Sequence, residues 1–126
     1  MIANKLKPGD EIRVIAPSRN LTEVWHVAHH HAVDFWHKEG FNLTFSKNSC
    51  FSKNSCEIGK FHSSSIASRV EDIHEAFCDP NVKMIITCLG GFNTNQLLRH
   101  LDYYVIAKNH KILCGYSDIT AQRNLC

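Results

Sequence analysis

Two short motifs in this chain carry residue types suited to chemistry. In the first, the apolar run Lys111-Ile112-Leu113-Cys114 feeds directly into Gly115-Tyr116-Ser117-Asp118-Ile119-Thr120. A buried strand that runs into a Gly-x-Ser turn, with helix-compatible residues after it, is how a serine nucleophile is presented at the end of a sheet. Ser117 is therefore the candidate nucleophile, and such a serine needs a base that is itself oriented by a third group. The pattern departs from the full G-x-S-x-G elbow, because Ile119 stands where the last glycine would be, and serines in such turns also serve as helix caps. Only six residues follow Thr120, so the partners of Ser117 are expected in a part of the protein that this sequence lacks.

The second motif is Gly90-Gly91-Phe92-Asn93, which follows the apolar run Val82 to Leu89. Two glycines there put backbone N–H groups at the head of a helix, an arrangement that holds a phosphate or an oxyanion. It is neither G-x-G-x-x-G nor a Walker loop, and a plain tight turn is the commoner cause of such a pair.

Other chemistry-bearing residues weigh less. Five of nine histidines (His26, His29, His30, His31 and His37) crowd into one segment. On a helix His26, His30 and His37 share a face, opposite Leu21, Val24, Ala28 and Phe35. The metalloprotease form H-E-x-x-H lacks its glutamate in His26-Val27-Ala28-His29-His30, so a solvated polar face is expected and no metal site. The six cysteines (Cys50, Cys56, Cys78, Cys88, Cys114 and Cys126) contain no C-x-x-C pair and read as reduced structural thiols, Cys88 and Cys114 as small hydrophobes within strands. No cofactor is called for.

These motifs need elements to position them. Strands are expected at Glu11–Ala16, Phe41–Phe45, Val82–Leu89 and Lys111–Cys114. Helices are expected at Thr22–Lys38, from a Ser65 cap to Asp79-Pro80, near Thr94–His100 and over Asp102–Lys108. Strands alternating with helices imply an α/β fold with a parallel sheet covered on both faces, where ligands collect beyond the strands' carboxyl ends. Both motifs leave such ends. The segment Phe45-Ser46-Lys47-Asn48-Ser49-Cys50 is repeated at once as Phe51 to Cys56, and reads as a tandem duplication in an exposed loop. At 126 residues, with 44% hydrophobic and 21% charged residues, the chain has the composition of one globular domain, residues 1–126. A formal net charge of +2, with basic residues scattered among acidic ones, gives no reason to invoke nucleic acid. No apolar run approaches the roughly 20 residues of a membrane span, and no h-region opens the chain, so a cytoplasmic location is expected.

The motifs together resemble a known family. Lys7-Pro8-Gly9-Asp10 leading into Ile12 to Ser18, Ser68 to Phe77 with Asp79 to Lys83, Gly90 to Asn93 with Gln96-Leu97-Leu98, Leu101-Asp102-Tyr103 and Gly115 to Thr120 are similar to the LD-carboxypeptidase family of serine peptidases. The Gly-Gly-Phe-Asn-x-Asn form is most similar to its microcin C self-immunity branch. The resemblance covers nearly the whole chain, in order. It implies a flavodoxin-like N-terminal domain, a nucleophile at Ser117, and an oxyanion hole from the backbone N–H of Asp118 and of Gly90 or Gly91. It further implies a glutamate and a histidine from a separate C-terminal domain, absent here, so that this chain is a fragment inactive by itself. Its substrates would be L,D-peptides of the cell wall or peptidyl-nucleotide amides, with no nucleic acid or membrane partner. A homodimer stays open for the full-length family. The alternative is a non-catalytic α/β module that binds a small anionic or nucleotide ligand at the same strand ends.

Overall fold

The structure, a computed structural model, describes residues 2–23, 26–49 and 62–125. Four strands, β1 (Glu11–Ile15), β2 (Asn42–Phe45), β3 (Val82–Thr87) and β4 (Ile112–Cys114), form one sheet in the order β2-β1-β3-β4. All three pairings are parallel. Each crossover carries helix: α1 (His26–Lys38) joins β1 to β2, α2 (Ile66–Cys78) joins β2 to β3, and a 3-10 segment (Thr94–His100) with α3 (Tyr103–Lys108) joins β3 to β4. Because β1 connects to one side of the sheet and β3 to the other, the order reverses between them. In such sheets ligands collect beyond the carboxyl ends of the two strands that flank the reversal, here β1 and β3.

The period of two in the strands sorts their side chains to two covered faces. Ile15 and Ile85 enter a core with Ile73, Ala76 and Phe77 of α2, Leu97, Leu101 and Ile106. Val14 and Ile86 face α1 instead, across a cavity of about 190 Å³ shared with Ala28, Ala32, Trp36 and Leu43. Leu113 is half-buried against the main core. The helix caps follow local chemistry. Ser65 accepts from the Ser68 amide at 3.1 Å to start α2, and Asp102 accepts from Val105 at 3.0 Å to start α3. The ammonium of Lys111 donates to the carbonyls of Ala76 and Asp79, capping the carboxyl end of α2, where a cation is favoured. Arg13, 9% exposed, is neutralised by Glu11 at 2.8 Å, Asp79 at 3.1 Å and Glu75 at 3.7 Å.

Four expectations from the sequence need correction. The first helix begins at His26, after a separate 3-10 turn over Leu21–Glu23, while Val24 lies outside the described residues. Phe35 does not face the sheet: it is 56% exposed, and the half-buried positions are His29, Val33 and Trp36. Sheet contact is made by the phase running through Trp36, one residue or about 100° away, and His29 packs its ring on Phe45 at 5.0 Å. His26, His30 and His37 are exposed.

The first copy of the duplicated segment is no exposed loop. Ser46 and Ser49 are buried; the Ser46 amide donates to the Val14 carbonyl at 2.9 Å and the Ser49 carbonyl accepts from Leu21 at 2.9 Å. Asn48 donates its side-chain amide to Asp72 at 2.9 Å, whose carboxyl burial pushes up to about 6 despite those hydrogen bonds. A chain that leaves edge strand β2 and turns inward must satisfy its buried backbone groups, and serine and asparagine do so locally. The second copy, Phe51 to Cys56, lies outside the described residues. Cys114 is exposed at the end of β4, and among the described residues Cys78, Cys88 and Cys114 are free thiols.

The two faces predict unequal sensitivity. Phe77→Ala, which empties a site 1% exposed, is expected to cost about 3–5 kcal/mol. Phe35→Ala is expected to change stability by less than about 0.5 kcal/mol. Urea unfolding followed by circular dichroism measures both, and equal losses would show that α1 packs in the other phase.

Candidate active site

Both sequence motifs meet at the carboxyl end of the sheet, next to the loop after β1. Ser117 opens the final 3-10 segment (Ser117–Leu125) directly after β4. It is exposed and has φ 62°, one of two described non-glycine residues in the left-handed region. That conformation costs about 1–3 kcal/mol for a residue with a Cβ and is the signature of a serine held on a sharp strand-to-helix turn.

Glycines allow the approach. A Cβ on Gly115 would lie 2.6 Å from the Thr87 hydroxyl and 2.7 Å from Ile119 Cγ2, so β4 can close on β3 only with hydrogen at this position. A Cβ on Gly90 would lie 3.1 Å from both Cβ and Oγ of Ser117 and 3.8 Å from the Asp118 nitrogen. The backbone of Gly90 thus forms the wall beside the serine hydroxyl. Gly91 faces elsewhere: a Cβ there would collide with the Ser18 hydroxyl. Ser117, Asp118 and Gly90 are brought together, and Gly91 stands one residue further, against the loop after β1.

Asp118 ties these loops into one body. Its carboxylate accepts from the Ser18 hydroxyl at 2.8 Å, the Thr94 amide at 2.9 Å and the Asn93 amide at 3.0 Å. Burial alone would raise its pKa, but hydrogen bonds from Thr94, Ser18 and the Asn93 amide prevail and hold it below the ordinary carboxylate range. The single Ser18 proton is shared between Asp118 and Asn93 Oδ1, which lies 2.9 Å from the hydroxyl, and Asn93 donates its side-chain amide to Ser63 at 2.6 Å.

Beneath this layer lies Arg69, 3% exposed. Its guanidinium donates to the carbonyls of Ser64 at 2.9 Å, Pro17 at 3.0 Å and Asn93 at 3.3 Å, and to the Gln96 side chain at 3.0 Å. Burial lowers its pKa from the usual value and the nearby Asp118 charge opposes that. Arg19 donates to the Gly90 carbonyl at 2.8 Å, fixing the rotation of the peptide beside Ser117.

No described residue serves Ser117 as a base through a hydrogen bond, and the histidines of α1 belong to another face of the molecule. Cys88 is no rival nucleophile. Burial pushes its thiol up to about 12, so the reactive thiolate is absent near neutrality. Among the described residues no three His, Cys, Asp or Glu side chains converge where they could hold a metal ion.

The sequence reading missed the carboxylate of Asp118 and the roles of Ser18, Asn93 and Arg69. Arg69 left a signal: it lies three residues after Ile66 and four before Ile73, on the core-facing stripe of α2, where a charge requires partners.

Comparison with known proteins shows the family of this fold. Residues 12–126 match the model of the LD-carboxypeptidase N-terminal domain, and the chain belongs to that family. It is 49% identical to a putative carboxypeptidase, YocD, of Bacillus subtilis, over 98% of this chain and 36% of the relative. The solved structure of an MccF-like protein from Bacillus anthracis superposes with a TM-score of 0.88 at 53% identity, over 98% of this chain and 36% of that one. The microcin C7 self-immunity protein MccF of Escherichia coli is 32% identical over 96% of this chain and 33% of its own length. Its solved complex with aspartyl sulfamoyl adenosine superposes with a TM-score of 0.83 at 32% identity, over 97% of this chain and 35% of that one. The chain thus spans about a third of the length of these relatives.

The site's electrostatics predict its response to acid. A carboxylate whose folded pKa is depressed contributes stability that is full above its unfolded value of about 3.9 and is lost as pH falls through the folded value. Asp118→Ala should abolish that acid-dependent component and leave the Asn93 and Thr94 amides without their acceptor. Hydrogen exchange of those two amides at neutral pH is expected to quicken about ten-fold or more; unchanged exchange would show that the carboxylate does not hold the loops.

Proposed function

We propose that this chain supplies the nucleophile of a serine amidohydrolase of the LD-carboxypeptidase type. The observation that carries the reading is Ser117 in a left-handed backbone with its hydroxyl beside Gly90. In this reading Ser117 Oγ attacks the carbonyl carbon of an amide. The backbone N–H of Asp118 and that of Gly90 or Gly91 receive the developing oxyanion, a contribution of about 2.7–4 kcal/mol for one such donor. Expulsion of the amine leaves an acyl-serine ester, which water then hydrolyses.

The base that removes the Ser117 proton comes from outside the described residues. The length of the relatives, about three times that of this chain, supports a second domain as its source. Of the two substrate classes, a peptidyl- or aminoacyl-nucleotide amide is supported by the likeness to MccF, whose complex holds aspartyl sulfamoyl adenosine. The family's description as an LD-carboxypeptidase supports the L,D-peptide bond of murein peptides. No helix among the described residues is long and apolar enough to cross a membrane, and both substrate classes are small and water-borne.

A second reading, a non-catalytic module that binds a small anionic or nucleotide ligand at this crevice, rests on the missing base. The two readings part on covalent chemistry. Purified 126-residue chain, incubated with a fluorophosphonate probe and with both substrate classes, is expected to show neither labelling nor turnover above the Ser117→Ala control. Labelling that depends on Ser117 would show that a base is supplied from within these residues.

A further inference from the structure

A second concave surface lies at the other end of the sheet, where the strands begin. It is a cleft of about 560 Å³, bordered by Lys5, Lys7, Lys83, Lys108 and Lys111. Asp10 is its one acidic lining residue, and that carboxylate already accepts from the Lys7 amide at 2.7 Å. Five lysines against one aspartate is a strong local excess in a chain whose formal net charge is +2. The positive charge is therefore concentrated here, away from Ser117.

Of the neighbouring acids, Glu11, Glu75 and Asp79 turn toward Arg13, and none of the three lines the cleft. Lys83 donates to the Pro80 carbonyl at 2.5 Å, and Lys111 caps α2 as described, but each ammonium has three donors and keeps at least one for a ligand. Lys108 sits over the Tyr104 ring at 4.6 Å, which orients it without neutralising it. Lys5, Lys7, Lys83 and Lys108 are all exposed at the rim, whereas Phe77 and Val82 form a buried apolar floor. Burial pushes the Lys111 ammonium below its ordinary range, and the like charges of Lys83 and Arg13 add to this against the pull of Asp79.

We propose that this cleft is a second ligand site, which binds a small phosphate-bearing polyanion through Lys5, Lys83, Lys108 and Lys111. Ammonium groups carried by separate elements around one cleft act on phosphate as point charges, and the concave wall focuses their field on the ligand. The site is independent of the Ser117 reading, since it shares no residue with that crevice.

The test uses the whole 126-residue chain with pyrophosphate as probe, at an ionic strength held constant with sodium chloride. Calorimetry is expected to give one saturable site, with amide chemical-shift changes confined to Lys5, Lys83 and residues 108–111. Replacing two rim lysines that make no fold-critical contact (Lys5→Gln with Lys108→Gln) should weaken binding about ten-fold or more. The control pair Lys38→Gln with Lys47→Gln, which lies outside the cleft, should leave it unchanged. The proposal is overturned if wild-type chain shows no saturable binding. Shifts centred on Gly90 to Asn93 and Ser117, or an equal loss in the control pair, would also overturn it.

Discussion

The structure turns on one buried cation. Arg69 sits on the core-facing stripe of α2 and spreads its guanidinium donors over Pro17, Ser64, Asn93 and Gln96. A buried guanidinium is tolerable only when its donors are satisfied and a counter-charge is near. Asp118 supplies that charge from the loop after β4, and its own oxygen is filled by Ser18, Asn93 and Thr94. Three loops from three strands are thereby fixed to one helix. The left-handed Ser117 adjoins this body, and its strain of about 1–3 kcal/mol is offset by hydrogen bonds to a charged group worth about 1.5–3 kcal/mol each.

Topology decides where this can happen. In the order β2-β1-β3-β4 the connections from β1 and β3 run to opposite sides of the sheet, and the carboxyl ends of these two strands are where such folds place ligands; here the loops that leave them are tied together through Ser18, Asn93 and Arg19. Glycine at 115 lets Thr87 and Ile119 approach to distances that a Cβ would forbid, and glycine at 90 leaves room beside the Ser117 hydroxyl that a Cβ would crowd at 3.1 Å. The crevice is thus built from backbone and small polar side chains, which suits stabilisation of a developing negative charge more than recognition of a large apolar group. At the opposite end the strands start among lysines, one of which, Lys111, caps α2, so the two ends of one sheet offer different chemistry.

Much of this was legible in the sequence, for physical reasons that can be named. Apolar runs such as Val82 to Ile86 mark a strand covered on both faces, and Ser65 and Asp102 announce helix starts because their side chains replace missing acceptors. Gly90 and Ser117 could be paired because both follow strands of one parallel sheet. The phase of α1 was not legible. His29 has a ring that packs as well as a polar tip, and two alanines beside Trp36 give little hydropathy contrast to place Phe35. The burial of Ser46 and Ser49 escaped as well, since serine-rich segments look alike whether water or backbone satisfies them. The Arg69 partnership joins residues far apart in the chain, and no local pattern encodes which carbonyls a buried arginine will find.

The central claim is that the Asp118 carboxylate, rather than the local sequence of the turn, holds Ser117 ready for attack. It is tested most directly by supplying the missing base from solution. Wild-type chain and Asp118→Ala would be treated with fluorophosphonate in concentrated imidazole, and the adduct located by mass spectrometry. The account predicts imidazole-dependent modification at Ser117 in the wild type and its loss in Asp118→Ala, although that variant keeps the residue-118 amide and its far-ultraviolet circular dichroism. Modification of Ser117 at the same rate in both would contradict it.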